Sequence, residues 1–276
     1  MLGLGVLAVS SAAVIVSALE GTDPVTLAAW RTAIVAALLA PWVRRTNLRD
    51  LAWIALSGAC LAAHFVTWFA SLHQTSVLRS TVLVCLGPVW LGLAEWGLLR
   101  RAPGLRYWGG VALALPAVAA LSATGSDPGT LSGDLLALLG GLLGAAYLLI
   151  GREVRPRVAI GTYASLVCAA AAVWLFPFGW ITGVALIPTT PWIWAGILAL
   201  ALGPQLLGHN SFNYALRYLP ASTVSMATLL EPIGATVLAF FVLSQVPGPI
   251  ALVAGAFVCA GVLLAASARR TKKAET

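Results

Sequence analysis

The sequence is a series of apolar runs, most of about 20 residues, separated by breaks too short to hold a soluble domain. A helix rises about 1.5 Å per residue, so a run of that length crosses the roughly 30 Å hydrocarbon core of a bilayer. Charged residues make up only 9% of the chain and hydrophobic residues 60%. A soluble domain carries about 25% charged residues. Most of this surface therefore has to face lipid.

The runs cover residues 2–19, 25–43, 50–71, 75–99, 106–122, 131–150, 159–179, 191–212, 218–244 and 247–267, numbered below as spans 1 to 10. Between them lie Asp23-Pro24, Arg44-Arg45, Arg100-Arg101, Gly125 to Gly129, Arg152 to Arg157, Pro188 to Pro191 and Pro247-Gly248-Pro249. Residues 1–19 lack the basic start of a signal peptide, so the first run reads as a retained helix. The fold class expected is an all-α membrane protein with ten transmembrane helices.

Orientation follows from the basic residues, which concentrate in cytoplasmic loops. Arg44, Arg45 and Arg49 follow span 2, and Arg100, Arg101 and Arg106 follow span 4. Arg152, Arg155 and Arg157 follow span 6, Arg217 follows span 8, and Arg269, Arg270, Lys272 and Lys273 follow span 10. These are fourteen of the 16 Lys and Arg residues, all at even-numbered exits. Odd-numbered exits carry Glu20, Asp23, Asp127 and Asp134. A miscounted span would break the alternation. It predicts cytoplasmic N and C termini and a multi-pass protein of the inner (cytoplasmic) membrane. It also accounts for the net charge of +7 without nucleic acid as a partner. The arginines are topology signals and contacts for anionic membrane lipid.

The chain repeats internally. HFVTWFASLHQTSVLRSTVLVCLGPVWLGL, from His64, resembles HNSFNYALRYLPASTVSMATLLEPIGATVL, from His209. His64 pairs with His209, Phe69 with Tyr214 and Pro88 with Pro232, about half the chain apart. A repeat of five helices, an odd number, enters the membrane from opposite sides in its two copies. The expected division is 1–124 for the first repeat, 125–268 for the second, and 269–276 for a basic cytoplasmic tail. In such inverted repeats the site lies near mid-bilayer between the halves.

Polar groups inside the spans are the candidates for function, because a charge at the bilayer centre costs roughly 2.5–3.5 kcal/mol on insertion scales. In span 8, Gln205, His209 and Asn213 recur at i, i+4 and i+8 and share a helix face. They either line a cavity or hydrogen-bond between helices. In span 3, His64 and Trp68 form a stripe with Thr67 beside it. A histidine titrates near pH 6.5, so a pair offers a route for coupling to protons. Glu231 precedes Pro232, which leaves a carbonyl near Thr228 without its helical partner. Pro88 does the same in span 4, making Pro88 and Pro232 the expected hinges. Arg79 either meets a substrate carboxylate or snorkels outward. Arg31 has Glu20 or Asp23 as an expected partner. Gly140, Gly141 and Gly144 predict close helix packing, with Tyr147 on the same helix within reach of the cavity. Cys60, Cys85, Cys168 and Cys259 are far apart and show no CxxC spacing. No metal site or cofactor is expected.

Three stretches carry a family resemblance: DPVTLAAWRTAIVAALLAP (23–41), HFVTWFASLHQTSV (64–77) with LVCLGPVW (83–90), and ALRYLPASTVSMATLLEPIGATVLAF (215–240). The chain resembles the EamA-type transporters of the drug/metabolite transporter superfamily. That resemblance implies two inverted repeats and export of an amino acid or another small metabolite. The chain departs from the family at Ser244-Gln245, where Gly-Glu is frequent, and in span 1, which lacks a tryptophan-rich opening. A secondary transporter working by alternating access is the function expected, with a small-molecule substrate and protons as candidate partners. A non-transporting receptor or assembly subunit is the alternative. An intramembrane enzyme is disfavoured, since HExxH, Gly-x-Ser-Gly and paired acidic motifs do not occur. A multidrug-type proton antiporter would need a glutamate midway along span 1, where Ser10-Ser11-Ala12-Ala13 stand.

Overall fold

The computed structural model describes residues 2–19, 21–75, 77–100, 102–122, 130–234, 237–238 and 249–267. Every regular element among them is helical. The α-helices are α1 (Leu2–Ala18), α2 (Pro24–Leu39), α3 (Leu48–Leu72), α4 (Val77–Val84), α5 (Gly87–Gly97), α6 (Leu105–Ser122) and α7 (Leu131–Val154). They continue as α8 (Ile160–Ile181), α9 (Pro191–Leu200), α10 (Asn210–Ala215), α11 (Ala221–Met226) and α12 (Pro249–Ser267). The tail 269–276 and the Ser244-Gln245 pair lie outside the described residues.

Helix starts fall where a side chain accepts a backbone N–H that would otherwise be orphaned. Asp23 accepts from the Val25 amide at 2.8 Å, Asn47 from Asp50 at 2.8 Å, and Thr130 from Gly133 at 3.1 Å. Among the described residues, six helical segments are long and apolar enough to cross a membrane: Pro24–Trp42, Leu48–Leu72, Ser80–Gly97, Leu131–Val154, Ile160–Ile181 and Pro191–Ala215. Their outward faces carry large apolar residues such as Leu38, Trp53, Trp96 and Trp174, a surface that only lipid covers without cost. The chain is a multi-pass membrane protein.

Prolines set the breaks. Pro88 has no N–H to give, so the helix stops at Val84 and restarts at Gly87 as α5. Between Met226 and Glu231, ahead of Pro232, the backbone tightens into a 3₁₀ turn over Ala227–Leu230. The two irregular stretches touch: Cys85 Sγ donates to the Thr228 carbonyl at 3.3 Å. Pro232 cannot supply this carbonyl's i+4 donor, and the Glu231 N–H serves it instead from one residue earlier. A third irregularity was not foreseen. Ala201–His209, containing Pro204, is wound as a π-helix between α9 and α10.

The packing is paired. α3 lies along α7, α1 along the π-helical segment, α2 along α8, and α6 along α12. The last contact depends on the absence of side chains. A Cβ on Gly261 would stand 2.6 Å from the Gly110 carbonyl and 2.8 Å from Ala114 Cβ, and one on Gly110 would collide with the Gly261 carbonyl. Gly261→Leu is therefore expected to push α6 and α12 apart. An overpacking penalty of about 1–3 kcal/mol should appear as a lower unfolding temperature of the purified protein.

Candidate functional site

A cavity of about 70 Å³ lies between the helices, room for a few water molecules. It is bounded by Val9 and Ala12 of α1, His64 and Trp68 of α3, and the α4–α5 break at Cys85 and Gly87. From later in the chain come Gly144 and Tyr147 of α7, His209 and Phe212, and then Ser225, Thr228 and Glu231.

The two repeat-matched histidines meet here, with ring centroids 6.3 Å apart. His64 lies 2.8 Å from the Gly140 carbonyl through Nδ1. A carbonyl only accepts, so that nitrogen carries the proton and Nε2 keeps its lone pair. Its ring stacks on Trp68 at 5.8 Å. His209 sits among Phe65, Tyr147 and Phe212, with centroids 5.3, 6.0 and 6.3 Å away. Among the described residues, His209 Nδ1 and Trp68 Nε1 have no hydrogen-bond partner. Glu231 is buried on the same wall as Cys85 and Thr228.

The remaining predicted residues separate. Gln205 and Asn213 are buried but do not line the cavity. Gln205 accepts from Arg31 Nη2 at 3.0 Å and donates to Cys168 Sγ at 3.4 Å. Asn213 accepts from the Tyr147 hydroxyl at 2.6 Å. Both thus reach partners on other helices, the second of the two roles that their spacing allowed, while His209 stands on the wall. Thr67 bonds back to the Ala63 carbonyl at 2.8 Å and lines a separate crevice with Trp174 and Phe178. The Arg79 side chain lies outside the described residues.

Arg31 does not pair with Asp23. Asp23 is occupied as the α2 cap and Glu20 lies outside the described residues. Arg31 stands midway along α2, fully buried, against Gln205 and the Phe65 ring. Glu95 was passed over as a candidate. Its carboxylate accepts from the Ser222 amide at 3.1 Å and the Ser222 hydroxyl at 2.6 Å, fastening α5 to the start of α11. A carboxylate inside an apolar run always calls for such a partner. At the same end, Asp50 accepts from Arg157 at 2.7 Å and holds its guanidinium above the ordinary arginine pKa. The opposite end is tied where Thr26 and Trp30 donate to the carbonyls of Ala185 and Leu186, at 3.0 and 2.6 Å.

The sequence profile of the EamA-like transporter family matches residues 1–123 and again residues 131–267. An uncharacterized transporter of Bacillus subtilis, YwfM, is 26% identical over 261 residues, 92% of this chain and 88% of its own. A probable terminal-alkyne amino-acid exporter of Streptantibioticus cattleyicolor is 28% identical over 225 residues, 80% of this chain and 75% of that one. A solved crystal structure superimposes with a TM-score of 0.80, covering 98% of this chain and 96% of its own at 18% identity, a likeness of fold. With the profile matched along both halves, the chain belongs to the EamA-like transporter family.

Proposed function

We propose that this chain is a ten-helix secondary transporter of the inner membrane that exports a small organic metabolite, an amino acid or a close relative, by alternating access. Its halves are residues 1–124 and 125–268, related by an inverted repeat, with both termini and the 269–276 tail in the cytoplasm. The observation that carries the reading is the origin of the cavity wall. Spans 1, 3 and 4 of one half and spans 6, 8 and 9 of the other line it, each with its repeat counterpart in the other set. The packing has the same symmetry, since exchanging the halves turns the α3–α7 contact into the contact of the π-helical segment with α1.

A cavity of about 70 Å³ is too small for a metabolite as it stands, so passage requires the walls to part. The breaks at Pro88 and Pro232 are the hinges in this reading. His64, Trp68, Tyr147, His209 and Glu231 are the residues that meet substrate, and His64, His209 and Glu231 are candidate carriers of a coupled proton. Gln205 and Asn213 support the wall from behind. The Streptantibioticus relative, named as a probable amino-acid exporter, favours that substrate class.

The test is flux in proteoliposomes loaded with the twenty L-amino acids in turn, with and without an imposed pH gradient. Flux of at least one amino acid, lowered in His209→Ala, is expected. A folded preparation that moves none of them would remove the amino-acid reading, and flux indifferent to the gradient in wild type and Glu231→Gln would remove the proton.

A further inference from the structure

Arg31 is a cation at the middle of α2 with no exposed surface. Of its three guanidinium nitrogens only Nη2 is engaged, by Gln205 at 3.0 Å. Nε and Nη1 have no hydrogen-bond partner, and no carboxylate lies within ion-pairing distance, both among the described residues. A helix that carries arginine through lipid normally pairs it. Here the nearest groups are apolar or neutral: Phe65, whose ring centroid is 4.1 Å from Cζ, Phe69 at 5.6 Å, and Gln205 itself. Phe65 also touches the cavity wall, its ring centroid lying 5.3 Å from that of His209. One aromatic ring therefore contacts both a buried, under-satisfied guanidinium and a residue of the cavity wall.

We propose that Arg31 is an anion-binding residue of this transporter and that its ligand is the carboxylate of the transported molecule. Movement of Phe65 and His209 as the halves part exposes a free guanidinium edge. A carboxylate fits that edge through two parallel N–H···O bonds, a geometry that arginine provides and lysine does not. Gln205 fixes the guanidinium plane by holding Nη2, and is in turn held by Cys168. A neutral substrate would leave the cation unanswered, so the substrate class narrows to molecules with a free carboxylate. The proposal rests on the transport reading above, but binding tests it separately from flux.

Purified protein is heated with each L-amino acid or with its α-amide, at constant ionic strength, and intrinsic tryptophan fluorescence reports unfolding. At least one free acid is expected to raise the unfolding temperature of the wild type while its amide does not. Arg31→Gln should weaken apparent affinity for that acid about 10- to 100-fold, the loss expected for hydrogen bonds to a charged group. Arg31→Lys should recover part of it. Acid and amide acting alike on the wild type overturns the proposal, a comparison that needs no variant to fold. So does discrimination preserved in Arg31→Gln, or an equal shift from sodium chloride, which would make the ligand a small inorganic anion. Carboxylate binding through Arg31 without flux in proteoliposomes would uphold this inference and sink the transport reading instead.

Discussion

Replacing Glu95 with alanine is expected to loosen one end of the molecule and to lower its stability by about 3 kcal/mol or more. The carboxylate accepts two hydrogen bonds from one residue, the amide and the hydroxyl of Ser222. Each hydrogen bond to a charged group is worth about 1.5–3 kcal/mol, and alanine leaves both Ser222 donors buried and unpaired. Glutamine keeps one carbonyl acceptor, so Glu95→Gln should fall between wild type and alanine. Two measurements check this. Thermal unfolding of the purified variants reports the energy. Labelling of Cys85 by a water-soluble maleimide, in a chain whose other three cysteines are replaced, reports access to the cavity. Cys85 is 2% exposed and lines the cavity, so its labelling should speed up in Glu95→Ala. Unchanged unfolding and unchanged labelling together would show that this tie does not hold α5 to α11.

What could be read from the sequence was whatever one local rule dictates. Lipid demands uninterrupted apolar helix, so α2, α3, α7 and α8 stand where their runs predict. A proline lacks an N–H wherever it sits, so the breaks before Pro88 and Pro232 were legible, as was the loss of the i+4 donor to the Thr228 carbonyl. The histidine pair was legible because repetition stood in for three-dimensional information: His64 and His209 are far apart in sequence and 6.3 Å apart in space.

What was missed depends on partners that no local rule names. Arg31 meets Gln205, 174 residues away, and not Asp23. Glu95 found Ser222, 127 residues away. The polar stripe of span 8 divided between its two readings: Gln205 and Asn213 hydrogen-bond to Arg31 and Tyr147 on other helices, and His209 lines the cavity. The π-helical winding of the stretch around Pro204 was not announced by that spacing. Trp30 shows the same limit. Its ring packs edge-on against Phe176 and Trp194 and its indole donates to the Leu186 carbonyl, 156 residues away.

Gly144→Leu should abolish transport while leaving a folded protein, because it fills the cavity without removing a polar side chain. A Cβ at Gly144 would stand 2.9 Å from His64 Nδ1 and 3.2 Å from its Cε1. His64 can yield only by giving up the Gly140 carbonyl, which its Nδ1 holds at 2.8 Å. Alanine at this position should therefore displace the ring and reduce flux, and leucine should go further by projecting into a space of only about 70 Å³. The overpacking costs about 1–3 kcal/mol of stability, less than a typical fold holds in reserve. Flux in proteoliposomes and thermal unfolding, read side by side, separate a blocked path from a broken fold. Gly97→Leu is the matched control, since a Cβ there meets nothing within 4 Å, and it should transport as wild type does. Flux from Gly144→Leu at the rate of that control would mean that substrate does not pass between α3 and α7. The histidine pair would then be a packing contact between repeats, and the path would have to be sought elsewhere in the molecule.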